Sequence, residues 1–425
     1  MTIRQASNDD RGGLRPWQLG VLAAGTFTLG VDAFVLSGLL PHIAADLSVS
    51  VSTAGQLTTI FSIVYAVGSP IIATLTGRWD RRVLLGGGLA LFLVGMAGQA
   101  LATTFTIMVV GRAVAALGAA AFQSNAYVLA GVLAGEARRG RALAAVTAGT
   151  SLSTVLGVPI GVLLGQWWGW RVVLWIIVVL AALTAVVVPR LPRAFVPPTA
   201  MRIRLGVLVR PSVLAVLAAT VLVVAPTFLL LGYLPEVLGT SAMGTRLVLV
   251  LLTSGVGAVA GNRLVGKLVD TRGALPVLLT GIGGVAVSYG VLVAAQDWYV
   301  PTLLIVFVIG AFGGLTITPQ QHRLFVVAPD VATVALGLNG SAIYLGAAVG
   351  AALGGATLSL FGASAIPAAA GLLAALGVTL VAMTAPERRG RTAPTVPAQP
   401  VANTPAAGAT AAAGEDRAVA EEGAR

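Results

Sequence analysis

The chain has 425 residues, 57% of them hydrophobic and 10% charged, with a mean hydropathy of +0.94. A soluble domain carries about a quarter charged residues, so this composition excludes one, and apolar runs of about 20 residues recurring from end to end exclude a single-pass or peripheral protein. A net charge of +11 would suit a nucleic-acid binder, but the basic residues sit in short loops between apolar runs, and nucleic acid is not expected as a partner. Cysteine is absent, which removes disulfides, thiolate nucleophiles and cysteine-based metal sites.

Residues 1–16, with Arg4, Arg11 and Arg15, read as a cytoplasmic N-terminal tail, and the apolar run behind them is too long for a cleaved leader. Length and breaker residues predict six helices near 17–39, 53–76, 83–103, 106–131, 142–165 and 171–189. The first carries Asp32 in the stretch FTLGVDAFVLSG; a carboxylate inside hydrocarbon costs at least a few kcal/mol and calls for a function. The second carries Tyr65 and leads into the loop ATLTGRWDRR, with Arg78, Asp80, Arg81 and Arg82. The fourth holds Arg112, Gln123 and Asn125, and the fifth holds Gly157, Pro159, Gly161 and Gly165. Glycines four apart let helices approach closely, and the proline is expected to bend or loosen that helix. The loop QWWGWR that follows reads as an interfacial aromatic belt.

Residues 190–211, rich in Pro and Arg, read as a cytoplasmic linker, dividing a six-helix half at 17–189 from another at 212–385. The second half predicts helices near 212–234, 245–268, 274–294, 300–321, 332–356 and 363–384, with Asp270 and Arg272 in a loop and Asn339 and Tyr344 in the eleventh helix. Residues 386–425 have few large apolar side chains and are expected to be a disordered cytoplasmic tail. All the Lys and Arg except Arg112, Arg171 and Arg246 fall in the termini or in alternate loops. The positive-inside rule then puts both termini in the cytoplasm.

The halves resemble each other. GKLVDTRGA starts at Gly266, 193 positions after Ala73 of ATLTGRWDRR, and the triplet Gly346, Gly350, Gly354 follows that of Gly157 by 189. Two features returning at nearly one offset argue for duplication, and two six-helix halves around a substrate path form a transporter design. The fold class expected is therefore an all-α membrane protein of twelve transmembrane helices in two pseudo-symmetric halves.

The stretches DAFVLSGLLPHIAADLSVSVSTAGQL, GRWDRR, GRAVAALGAAAF and GVPIGVLLGQWWGWR carry a resemblance to the major facilitator superfamily over about residues 17–385. Within it the chain resembles the proton-coupled drug efflux group that contains bacterial chloramphenicol exporters and sugar efflux permeases. The superfamily's loop motif, Gly-x-Leu-x-Asp-Arg-x-Gly-Arg-Arg, matches at Leu75, Arg78, Arg81 and Arg82 and departs at Ala73, Gly77 and Asp80. Gly77 stands where the family has its acid, so Asp80 would have to substitute for it. The resemblance implies alternating access, an acid near Asp32 used for proton coupling, and a seal against proton leak around Pro159.

Residue chemistry alone allows two roles for most of these positions. Asp32 and Arg112 lie at comparable depth in the outer half of the membrane, so they form either a static strut or a proton carrier open to adjustment by substrate or conformation. Arg78, Arg81 and Arg82, with Asp80, Asp270 and Arg272, either satisfy the charge rule or form a cytoplasmic gating loop that binds the carbonyl end of a facing helix in one state. Tyr65, Gln123, Asn125, Asn339 and Tyr344 either line a substrate cavity or bond between helices. No phosphate-binding loop GxxxxGK[ST] occurs, and His42 and His322 are far apart, so neither enzyme chemistry nor a cofactor nor a metal is expected.

The expected function is proton-driven export of small, largely apolar drug-like compounds across a bacterial inner membrane by a chain working as a monomer. A sugar or metabolite efflux permease of the same fold is the alternative, and a channel or non-transporting receptor a more distant one. The topology is directly testable: reporter fusions after residues 140, 200 and 395 should behave as cytoplasmic and those near 47, 167 and 297 as external. A consistent reversal would reject the charge reading.

Overall fold

The computed structural model describes residues 15–195, 201–239 and 245–384. Most of the N-terminal tail, part of the linker and all of the region expected to be a disordered tail lie outside the described residues. Twelve helices among the described residues are long and apolar enough to cross a membrane. Helices dominate because a spanning segment has no water to satisfy its backbone and must bond internally.

The first half is built from α1 (Pro16–Asp46), α2 (Val51–Leu75), α3 (Arg81–Ala100), α4 (Phe105–Leu133), α5 (Gly135–Leu152), a π-helical turn (Ser153–Gly157), α6 (Val158–Trp168) and α7 (Trp170–Val187). A short α8 (Met201–Leu208) follows in the linker. The second half comprises α9 (Pro211–Gly232), α10 (Leu234–Leu238), α11 (Thr245–Arg272), α12 (Ala274–Ala295), α13 (Tyr299–Gly313), α14 (Ile317–Val327), α15 (Ala332–Phe361) and α16 (Ile366–Met383). Local chemistry sets the boundaries. Ser50 caps α2 by accepting from the Thr53 N–H at 3.0 Å, Asp80 caps α3, and Gly169 and Gly273, at φ 87° and 83°, make the turns into α7 and α12 that a Cβ would strain.

Three spans differ most from their expected bounds, and one of them, the tenth, expected near 300–321, is broken between α13 and α14 and runs on to Val327. Helix α1 runs seven residues past the expected 39, through Pro41, because one missing N–H near a helix end forfeits little. Its last residue, Asp46, is held by Arg171 and by the Trp170 indole N–H. The fifth span begins earlier than expected and is interrupted by the π turn just before Pro159, the loosening that a proline without an N–H imposes on the preceding carbonyls.

The glycines of the fifth span serve α1. Gly157, Gly161 and Gly165 face Val31, Val35 and Leu39, so the valine and leucine side chains of α1 occupy the room that side chains on α6 would take. In the second half Gly346, Gly350 and Gly354 bring α15 against the backbone of α9. The duplication extends to a hydrogen bond. Thr26 donates to the Val146 carbonyl at 2.8 Å, and Thr220 donates to Asn339 at 2.9 Å; 220 and 26 differ by 194, 339 and 146 by 193.

Arg81, Arg82, Arg323 and the bonded Arg210–Asp330 pair mark one end of the bundle, called here the basic end. Contacts between the halves run from mid-bundle to the opposite end, where α2 lies along α15, α1 meets α9 and α10, and α6 with its π turn meets α11. Ser52 donates to the Gly355 carbonyl at 2.8 Å, and the Tyr233 hydroxyl, bonded to the Ala351 carbonyl at 3.0 Å, fills the space left by Gly55. From Ser52 to Tyr65 this seam covers about 20 Å at the helical rise.

A Cβ on Gly161 would stand 2.6 Å from the Val35 Cγ2. Gly161→Leu should therefore insert normally but lose about 1–3 kcal/mol through overpacking, read as a lowered Tm of the purified protein in detergent. An unchanged Tm would mean that the α1–α6 contact gives way without cost.

Candidate functional site

The centre of the site lies on α1, α2 and α4 and is closed over by α15. Asp32 and Arg112 are both 0% exposed. The Arg112 Nη1 donates to the Asp32 Oδ1 at 2.6 Å and its Nη2 to the Asp32 backbone carbonyl at 3.3 Å. The pair is thus anchored through one carboxylate oxygen, and no protein group among the described residues bonds Oδ2 or the Arg112 Nε. A proton can be added at Oδ2 without breaking the Oδ1 bond. Removing either partner outright would leave a buried charge, at a cost of about 3–5 kcal/mol.

Phe61, 2% exposed, lies against this pair: the Arg112 guanidinium carbon stands 4.2 Å from the ring centroid. A desolvated cation over an aromatic face is stabilised by about 2 kcal/mol or more. One turn along α2, Tyr65 stacks on Tyr344 of α15 with centroids 3.6 Å apart, and Phe61 is 6.3 Å from each of those rings. The Tyr344 hydroxyl donates to the Gln123 Oε1 at 3.4 Å. Phe34 of α1 and Phe228 of α9 form a second aromatic pair across the halves at 5.5 Å.

Of the five residues considered for a cavity, the structure brings together Tyr65, Gln123 and Tyr344. Asn125 instead accepts from the Arg81 Nη1 at 2.9 Å, toward the basic end, and Asn339 is 1% exposed and bonded to Thr220. Sequence reasoning missed Phe61, Phe34 and Phe228. Phe61 was signalled by its spacing from Tyr65, four residues on the same helix face; the Phe34–Phe228 contact had no local signal.

At the basic end the loop residues hold their own half. Asp80 Oδ1 accepts from the N–H groups of Arg82 at 3.0 Å and Ala194 at 3.2 Å, and the Arg81 N–H donates to the Ala194 carbonyl at 2.9 Å. Arg81 also bonds the Gly77 carbonyl at 3.0 Å, and Arg82 the Pro189 carbonyl at 3.0 Å. The start of the linker is thereby stitched to the α2–α3 turn. Arg82 thus bonds a carbonyl in the terminal turn of the sixth span, while Asp80, the N-cap of α3, accepts from the linker backbone at Ala194. Arg78 is exposed, as are Asp270 and Arg272 at the end of α11. No group of three or more His, Cys, Asp or Glu able to hold a metal occurs among the described residues.

A multi-pass helical bundle with a sealed ion pair beside a seam between two related halves is the architecture of a two-half membrane transporter. The family model of the Major Facilitator Superfamily matches residues 22–333 and again 238–415, and the chain belongs to that superfamily of transporters. It is 35% identical to a chloramphenicol resistance protein of Streptomyces lividans over 353 residues, covering 81% of this chain and 89% of the relative. It is 31% identical to the inner membrane transport protein YdhP of Escherichia coli strain K12 over 379 residues, covering 87% and 96%. An uncharacterized MFS-type transporter of Bacillus subtilis, YbcL, is 29% identical over 349 residues, covering 80% and 88%.

Outside the membrane-spanning segments, Arg210 at the start of α9 grips Asp330, in the turn before α15, with two bonds of 2.8 and 2.7 Å. The hydrogen bond from Arg210, aided by its charge, holds the Asp330 carboxyl below its ordinary value. A depressed folded-state value stabilises the fold above the unfolded carboxylate value of about 3.9, and that contribution disappears as pH falls through the lower folded value. Amide exchange at Asp330 and Val331, taken relative to the unfolded chain, should accordingly rise in that acid window for the wild type. Asp330→Asn should show the faster exchange already at neutral pH; equal protection in both proteins would mean that the pair does not hold this turn.

Proposed function

We propose that this transporter exports small, largely apolar, drug-like compounds in exchange for protons by alternating access. The observation that carries the reading is the fully buried Asp32–Arg112 pair lying directly against an aromatic cluster shared by both halves. An intramembrane acid is expensive and serves a function by default. Its free carboxylate oxygen supplies a proton position, and the rings beside it supply the surface on which an apolar or aromatic compound would lie. The resistance activity in the name of the Streptomyces lividans relative supports a drug as the cargo.

A sugar permease is the weaker reading, since sugar sites need many hydrogen-bonding side chains and this one offers mostly Phe and Tyr. The protein is proposed to sit in the bacterial inner membrane with its basic end and both termini in the cytoplasm, as the charge rule favours. In that orientation the end of the seam formed by Ser52, Gly355 and Tyr233 lies on the outer side. A single chain supplies both halves of the cluster, which favours a monomer as the working unit. The membrane potential contributes about 2.3 kcal/mol per proton at 100 mV, enough for one proton to sustain a concentration ratio of order tens.

The test is proton-driven efflux in proteoliposomes, with substrate-induced proton release from purified protein, on compounds first selected by protecting a pump-deficient bacterium. Asp32→Asn should retain substrate binding and exchange while losing uphill efflux and proton release by at least about tenfold; Asp32→Glu should keep part of both. If the Asn variant pumps and releases protons as wild type does, the pair is a strut and the carrier must be sought elsewhere.

A further inference from the structure

The ion pair belongs to α1 and α4 of one half, whereas the seam that must open runs between α2 and α15. Something has to connect them, and only one side chain on the seam helix lies over the guanidinium. We propose that Phe61 is the positioning residue that couples the protonation state of Asp32 to the contact between the two halves. This rests on the proton-exchange reading above.

Arg112 stays cationic at any physiological pH, so protonation of Asp32 removes its anion but leaves its charge, with 0% exposure to solvent. The group then positioned to stabilise that charge is the Phe61 ring face at 4.2 Å. The same ring stands 6.3 Å from Tyr65 and 6.3 Å from Tyr344, and is therefore shared between the cation on one side and the cross-half stack on the other. With Asp32 ionised, Arg112 is held by carboxylate and ring together; with Asp32 neutral, the ring becomes its principal partner. The second condition draws Phe61 toward α4 and alters its packing on Tyr344, which loosens the α2–α15 seam at mid-membrane. The titratable and charged groups around Phe61 are Asp32 from α1, Arg112 from α4, Tyr65 on its own helix and Tyr344 from α15, with Tyr127 of α4 beside the tyrosines. Phenols ionise near pH 10 in water and a guanidinium keeps its charge, which leaves the Asp32 carboxylate as the group there able to take up a proton.

The absence of native cysteine makes the test direct. Spin labels at Arg138→Cys and Lys267→Cys, exposed at the basic end of the two halves, report the separation of the halves in full-length protein in nanodiscs, without any substrate. In the wild-type background, acidification and Asp32→Asn should each move the ratio of the two distance populations in the same direction, by about tenfold if most of the cation–ring interaction is exchanged. Phe61→Leu, similar in apolar character but without a π face, should reduce that response to within about twofold, and Phe61→Tyr should restore it. A Leu variant that responds as wild type does would overturn the coupling role while leaving the proton reading intact. Loss in both the Leu and Tyr variants would show that the ring face is not the operative feature. No response in wild type or in Asp32→Asn would sink the proton reading, and this inference with it.

Discussion

The structure is organised by one constraint: a carboxylate and a guanidinium are held together where no water reaches either. Taking both ions out of water carries a penalty of several kcal/mol each, recovered only through close mutual contact and supporting bonds. The 2.6 Å bond, the second bond to the Asp32 carbonyl and the Phe61 ring meet part of that requirement, and the unbonded Oδ2 and Nε show that it is not met in full. A pair kept only for stability would be better replaced by apolar packing. Retaining it at this depth makes sense where the charge itself is used.

The packing around the pair holds α1 and α4 within the first half. Helix α1 is gripped by the glycine face of α6 and, at its far end, by Asp46 bonded to Arg171 and Trp170. Helix α4 is gripped by α3, where Gly95, Gly111 and Gly118 bring the two backbones together. The helices that carry Asp32 and Arg112 thus belong to a rigid framework. The π turn at Ser153–Gly157 lies where that framework touches the other half, with Gly255 of α11 against Val155. The break in the regular helical hydrogen-bond pattern coincides with the place where the two halves meet.

Much of this architecture was legible in the sequence, because in a membrane the length of an apolar run and the distribution of charge are themselves structural forces. The twelve spans, the paired glycine triplets and the matching depths of Asp32 and Arg112 needed no tertiary information. What escaped was partner choice. Gly161 could pack against any neighbour, and only the assembled bundle assigns it to Val35. Asn125 looks like a cavity residue until Arg81, 44 positions away, reaches it, and Asn339 until Thr220, 119 positions away, does. Phe61 is one phenylalanine in an apolar helix, and its meaning appears only when a cation is set over its face. Hydropathy has no term for such pairings.

The chemistry of the seam explains why the charges are confined to one side of it. Across the boundary the halves meet through the Ser52 bond to the Gly355 carbonyl, the Tyr65–Tyr344 stack, the Phe34–Phe228 pair and close approaches at glycine. All of these contacts are neutral. Parting them exposes a hydroxyl, a carbonyl and ring faces, each costing at most a few kcal/mol and readily met by water or by an entering apolar compound. Had Asp32 sat on α1 and its cation on α15, each opening would have separated two buried charges, at a cost that thermal motion could not meet. On the alternating-access reading proposed above, keeping both ions within the first half would let the seam open and close while the pair stays made, and would leave only the shared rings to sense whether the carboxylate carries a proton.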